Sequence, residues 1–157
     1  MTDVIRSVTD HTIAPTDAPS YTSPDTGAVL KAIHNPFPRM LTEQEHTIEL
    51  PELCPASRNP SPGSSLRIGY RSSQRFLEVF SLNTYIQAFV GHKLVRDVEQ
   101  LTQSIARDCT LLLQEEVWVE GNFVLQGIQQ RVRTRAQCTV ATAQHYQATA
   151  AQQDVSV

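Results

Sequence analysis

Apolar positions along this chain change their period in a definite order. Thr47-Ile48-Glu49-Leu50 alternates and stops at Pro51, the pattern of a short strand. A loop rich in Pro, Ser, Gly and Asn follows over residues 54 to 65. Leu66-Arg67-Ile68-Gly69-Tyr70-Arg71 alternates cleanly, which puts Leu66, Ile68 and Tyr70 on one face of a second strand. From Phe76 to Phe89 the residues Leu82, Tyr85, Ile86 and Phe89 recur at helical spacing. Beyond Gly91, Leu94, Val98, Leu101, Ile105 and Leu112 carry that period into a second helix. Val117-Trp118-Val119 with Phe123-Val124-Leu125 predicts a third strand. Ile128 to Val132 predicts a fourth, with Arg131, Arg133 and Arg135 alternating toward solvent. Strand, strand, helix, helix, strand, strand is an α+β order: a four-stranded antiparallel sheet with helices on one face. Such a sheet leaves its outer strands unpaired, and joining subunits into a barrel solves that.

The ends read differently from the middle. Residues 1 to 20 are dominated by Thr, Asp, Pro and Ser with isolated apolar residues, a tail that buries too little to offset its ordering entropy. Residues 136 to 157 run in Ala, Gln and Thr; they favour helix but show no apolar face to dock it, and are expected to be a flexible tail. The domain is expected over residues 21 to 135.

Charge narrows the classes. Lys plus Arg number 13 against 16 Asp plus Glu, a formal net charge of −3, which argues against direct nucleic-acid binding. No window approaches the ~18 apolar residues of a membrane helix, and the opening Met1-Thr2-Asp3 leads into no apolar core that a signal peptide would use. The three cysteines, Cys54, Cys109 and Cys138, are odd in number and widely spaced, so free thiols in a cytoplasmic protein are expected. With His34 and His92 they lack zinc-ligand spacing, and no metal is expected. Cys109 reads as packing at the end of a helix, and Trp118 as core or subunit contact.

Cys54 is the candidate for chemistry. It stands on a Pro-bounded loop after a strand, Leu50-Pro51-Glu52-Leu53-Cys54-Pro55, held rigidly and partly exposed. A thiolate nucleophile needs that presentation together with a neighbour that lowers its pKa. On the residues alone, a small apolar residue closing a strand end is the commoner explanation of such a cysteine.

A wider pattern bears on the choice. Tyr21-Thr22-Ser23-Pro24-Asp25, Leu30, Asn35-Pro36-Phe37-Pro38, the Pro-Glu ahead of Leu53-Cys54-Pro55, Glu78-Val79-Phe80-Ser81-Leu82-Asn83-Thr84-Tyr85 and Val117-Trp118-Val119 follow one another in this order. Together they resemble the tunnelling-fold (T-fold) family of the queuosine-pathway nitrile reductases, QueF, over residues 21 to 130. The family also includes an archaeal amidinotransferase branch. The resemblance implies a ββααββ tunnelling fold assembled into a barrel, a homo-oligomer of stacked rings with sites at subunit interfaces, and 7-cyano-7-deazaguanine as substrate. It further implies Cys54 as the nucleophile that forms a covalent thioimide with the nitrile, and NADPH as the source of two hydrides. Glu78 falls in the base-contacting segment, where a carboxylate holds a guanine-like N–H edge.

The departures from the family pattern are chemical. Its acid, an Asp seven residues beyond the cysteine, is Ser61 here, a hydroxyl that is a far weaker proton donor. Its His-Glu pair is Arg96-Asp97, which keeps an anchoring carboxylate but replaces imidazole with a fixed cation. The lysines of its first helix, which meet NADPH phosphates, are Phe80 and Asn83, and its Pro-Arg-Gly-Gly turn is Leu125-Gln126-Gly127-Ile128. Other cations for NADPH would be Arg58, Lys93 or Arg131. Three readings follow: a divergent reductase, an amidinotransferase that releases the same thioimide without NADPH, and a non-catalytic purine-binding or structural protein.

Overall fold

Alternation at Leu66, Ile68 and Tyr70 builds the centre of the molecule. These three side chains are buried on one face of β3 (Ser65–Ser72), the strand around which the sheet is organised. The computed structural model describes residues 26 to 154, with side chains to residue 147. The segment Tyr21 to Asp25 and the expected tail over residues 1 to 20 lie outside them. β2 (Thr42–Glu49), β3, β5 (Val117–Leu125) and β6 (Gln130–Cys138) form an antiparallel four-stranded sheet in the order β2-β3-β5-β6. Its core face is covered by α1 (Val79–Gln87) and α2 (Val98–Leu113): Leu82, Tyr85, Ile86 and Phe89 meet Leu101, Ile105, Cys109, Val117, Val119 and Phe123 in one cluster. β1 (Ala32–His34) and β4 (Arg75–Leu77) pair in a separate two-stranded sheet. Among the described residues no helix is long and apolar enough to cross a membrane.

Several boundaries differ from expectation, each for a local reason. β2 starts at Thr42 rather than Thr47, because its core-side positions include Gln44 and His46, which alternate with exposed Glu43 and Glu45 but are not apolar. The first helix starts at Val79 rather than near Phe76. Residues 75 to 77 pair with β1, Tyr70 Oη accepts the Leu77 N–H at 2.8 Å, and Glu78 caps the helix. Leu94 lies outside the second helix and is exposed, since α2 starts only after Asp97, which caps it. β6 starts at Gln130, after a turn over residues 126 to 129 in which Gly127 takes φ 81°. The expected domain end at residue 135 falls inside β6, which runs to Cys138 and is followed by α3 (Val140–Asp154). Among the described side chains of α3, Ala143 is the fully buried one, where the helix meets α2.

The other face of the sheet is polar. Register aligns Glu45 with Gly69, Trp118 and Gln137, and Thr47 with Arg67, Glu120 and Arg135, so these side chains share that face. Glu120 is only 3% exposed there. Arg133 (3.0 Å), Arg135 (3.3 Å) and Arg67 (3.4 Å) close around it. Burial opposes its charge, but hydrogen bonds from Arg133 and Arg135 prevail and hold its pKa below the usual carboxylate value. The Trp118 ring lies between the Arg67 and Arg135 guanidinium groups, 5.4 and 4.3 Å from its centroid. The two edge strands differ in sign: β2 carries Glu43, Glu45 and Glu49, the first two paired with Arg71 and Arg67 of β3, and β6 carries Arg131, Arg133 and Arg135, the last two paired with Glu120 of β5.

Candidate functional site

Proline boundaries around Cys54 predict a loop of fixed shape, and backbone bonds define it. The Asn59 carbonyl accepts the N–H groups of Leu53 (2.9 Å) and Cys54 (3.0 Å), and the Cys54 carbonyl accepts the Arg58 N–H at 2.8 Å. Arg58 takes the left-handed conformation (φ 60°) that this tight fold-back requires, and its guanidinium pairs with Glu52 at 3.2 Å. The Asn59 side chain joins the loop to the β5–β6 turn through the Gln126 backbone. Cys54 is half-buried, and the Ser57 N–H points at its sulfur at 3.5 Å.

One long-range bond decides what faces this thiol. The Gly91 N–H donates to the Leu53 carbonyl at 2.8 Å, and Gly91 takes φ 66°, a left-handed conformation open to glycine at little cost. The α1–α2 connection is thereby pulled against the cysteine loop. Between them lies a cavity of about 30 Å³ bordered by Cys54, Asn59, Pro60, His92, Arg96 and Asp97 over a floor of Leu53, Val95 and Leu101. That volume accommodates water-sized groups, and the pocket is open toward solvent.

The residues predicted from sequence divide accordingly. Cys54, Arg96 and Asp97 come together at this cavity. Ser61 and Glu78 do not border it. Ser61 is buried beside the sheet, donating its backbone N–H to the Val124 carbonyl at 2.8 Å. Glu78 spends its carboxylate on the first turn of α1, accepting the N–H groups of Phe80 (2.8 Å) and Ser81 (2.6 Å). Those two bonds, Phe80 foremost, lower its pKa. Asp97 caps α2 in the same way with one oxygen on the Gln100 N–H at 2.6 Å, so it serves the helix as well as the cavity.

His92 is the cavity residue that sequence reading treated only as a metal ligand. It is 6% exposed and packs against Phe89, with ring centroids 5.5 Å apart. Its Nδ1 accepts two backbone N–H groups, from Leu94 at 3.1 Å and Val95 at 3.0 Å. Nδ1 is thus the accepting nitrogen of the ring, which leaves Nε2 as the ring N–H. The signal in the sequence is its place: a histidine directly after Gly91, at the end of the turn that follows α1, and ahead of the Arg96-Asp97 pair. The remaining cysteines are internal. Cys109 is fully buried, which pushes its thiol pKa up, and burial raises that of Cys138 as well. Among the described residues no group of three or more His, Cys, Asp or Glu is arranged to hold a metal.

Comparison with family models and with curated proteins finds no match for this chain. The arrangement itself is a half-buried thiol beside a small pocket open to solvent, with His92 and the exposed Arg96 and Asp97 on its border. That set is suited to nucleophilic addition at a small polarised group.

Proposed function

We propose that this chain is a divergent tunnelling-fold enzyme that acts on the nitrile of 7-cyano-7-deazaguanine through Cys54. The observation that supports this reading is the shared cavity: Cys54 stands beside Arg96 and Asp97, the pair at the positions where the resembled family keeps its substrate-contacting residues. In the reaction the Cys54 sulfur attacks the nitrile carbon. An S–C bond forms, one π bond of the nitrile is lost, and the nitrogen gains a proton to give a thioimide. A cytoplasmic setting, which keeps thiols reduced, suits that role.

Reduction of the thioimide would take two hydrides from NADPH. The residues do not fit that cofactor well. Phe80 is 80% exposed on α1 at a position where the family has a lysine, Asn83 is exposed at another, and Arg58 is paired with Glu52. No step is assigned through NADPH. The same substitutions favour a second reading, transfer of the thioimide carbon to ammonia, which forms an amidine and returns the thiol. The oppositely charged edges of the sheet favour a homo-oligomer, with β2 of one copy beside β6 of the next in a ring and the rings stacked. Glu78, away from the cavity of its own chain, would then contact the purine-like base from a neighbouring copy.

Intact mass measurement after incubation with 7-cyano-7-deazaguanine tests the proposal. A covalent adduct on the wild type and none on Cys54→Ser is expected. Ammonia or NADPH added separately then distinguishes transfer from reduction. No adduct, together with unchanged NADPH absorbance, overturns both enzyme readings and leaves a purine-binding or structural role.

A further inference from the structure

β3 begins at Ser65, opposite Asn122, yet β5 runs on to Leu125 without that partner. The cysteine loop takes the vacant place. The Ser61 N–H donates to the Val124 carbonyl at 2.8 Å, and the Val124 N–H donates to Ser64 Oγ at 2.9 Å. Two residues further on, the Gln126 N–H donates to Asn59 Oδ1 at 2.5 Å, and Asn59 Nδ2 donates to the Gln126 carbonyl at 3.5 Å. A side-chain amide, with one acceptor and one donor, thus pairs with the backbone of a single residue as one strand pairs with the next.

We infer that Asn59 is the positioning residue of Cys54, and that through it the β5–β6 turn sets how the thiol is presented. This role rests on the reading of Cys54 as the reacting thiol and holds whichever electrophile it meets.

The backbone of the same residue surrounds the cysteine. The Asn59 carbonyl accepts the Leu53 and Cys54 N–H groups at 2.9 and 3.0 Å, and its own N–H donates to Ser57 Oγ at 3.3 Å. Ser57 in turn directs its N–H at the Cys54 sulfur at 3.5 Å. Ser61 and Ser64 hold the far limb of the loop, whereas Asn59 bonds both to the turn and to the Cys54 backbone. Its side chain is fixed on the sheet while its main chain is fixed around the thiol. A hydrogen bond to sulfur favours the thiolate over the thiol, so an N–H kept in place by this anchor bears on reactivity and not on folding alone. Groups whose supporting bonds are already set also reach a productive geometry at less cost.

Alkylation of Cys54 by iodoacetamide, followed across pH and assigned by peptide mass, tests the role; Cys109 and Cys138 are buried. Asn59→Ala removes the anchor. Gln126→Pro removes the N–H that the anchor accepts, at the opening position of a turn, where proline is well tolerated; its reference is Gln126→Ala, which loses the same side chain and keeps the N–H. His92, Arg96 and Asp97 at the pocket and the Arg58–Glu52 pair on the loop are common to all these variants. Asn59→Ala is expected to move the midpoint of the pH–rate profile upward by about half a unit. Its rate is then about threefold lower well below the midpoint, with the high-pH plateau within about twofold of wild type. Gln126→Pro should show the same shift against Gln126→Ala, and the double variant should shift no further than the larger single one, because both remove one bond.

An unmoved midpoint in Asn59→Ala overturns the role, as do additive shifts in the double variant or a wild type whose Cys54 is not alkylated. Should urea titration show that Asn59→Ala does not fold, Gln126→Pro decides alone, and the absence of a shift there overturns the role. If the shifts appear while 7-cyano-7-deazaguanine gives no adduct on the wild type, the positioning role stands and the substrate assignment falls.

Discussion

A methyl group at Gly69 should dislodge the only tryptophan in the chain. Gly69 pairs with Trp118 across β3 and β5, and a Cβ on Gly69 would overlap Cε2 and Cζ2 of the indole, which lies flat over the bare backbone. The backbone of Gly69 is not left-handed, so alanine meets no conformational penalty and even gains about 0.5 kcal/mol by restricting the unfolded chain. Against this stand overpacking, about 2 kcal/mol, and the loss of Trp118 from between Arg67 and Arg135, roughly 0.5–1 kcal/mol for partly exposed cation–π contacts. The net expectation for Gly69→Ala is a destabilisation of about 2 kcal/mol. With a urea m-value of about 1.5 kcal/mol/M, the unfolding midpoint should fall by roughly 1.3 M. Tryptophan emission reports the same event, shifting to the red and becoming more open to acrylamide quenching. In a Trp118→Val background, followed by circular dichroism, the alanine should cost less than about 0.5 kcal/mol, which isolates the contact as the cause. A midpoint within about 0.2 M of wild type and unchanged emission would refute the reasoning.

Asp97 allows structural and chemical roles to be separated: Asp97→Ala should lose about 1 kcal/mol through the missing cap, whereas Asp97→Asn, itself a good cap, should keep most of it. Urea midpoints check the ranking, and equal losses in the two variants would show that the cap is not what Asp97 contributes to stability. For pH dependence, burial lowers the pKa of His46 from 6.5, so the unfolded state takes up its proton first. Stability from this residue is complete above pH 6.5 and is lost as pH falls below it. His46→Gln should flatten that part of the profile, and identical slopes in the two proteins would count against the assignment.

Where burial and side-chain chemistry agree, the fold was legible in the sequence. β3 shows at once, since Leu66, Ile68 and Tyr70 are both apolar and inward. The first half of β2 did not show, because Gln44 and His46 take core-side positions without apolar side chains, and periodicity of apolar residues is blind to them. Phe76 and Leu77 continue the helical spacing of Leu82, so their pairing with β1 depended on a partner more than forty residues away. α3 was hidden for a different reason: the buried one among its described side chains is an alanine, and composition cannot pick that alanine from its neighbours. At the site, the prolines announced the Cys54 loop and adjacency announced Arg96 and Asp97. His92 joined them only through the Gly91–Leu53 bond, a contact between backbones that no side chain encodes. Glu120 was overlooked because the arginines that justify its burial sit on neighbouring strands and, taken singly, look like a solvated edge.

The opposite signs of the two sheet edges give the molecule a direction. Two copies that met β2 to β2 would set Glu43, Glu45 and Glu49 against their own kind, and a β6 to β6 meeting would do the same with arginines. Part of that repulsion is answered within the chain, where Arg71 and Arg67 pair with Glu43 and Glu45 and Glu120 pairs with Arg133 and Arg135, so the edges weigh only modestly against a two-fold contact and toward a head-to-tail one. Contacts of that kind have only two ends: they close on themselves, leaving no free edge, or they continue as a filament with one acidic tip and one basic tip. If copies do join in this way, the curvature of each joint, and not its affinity, would decide which of the two forms.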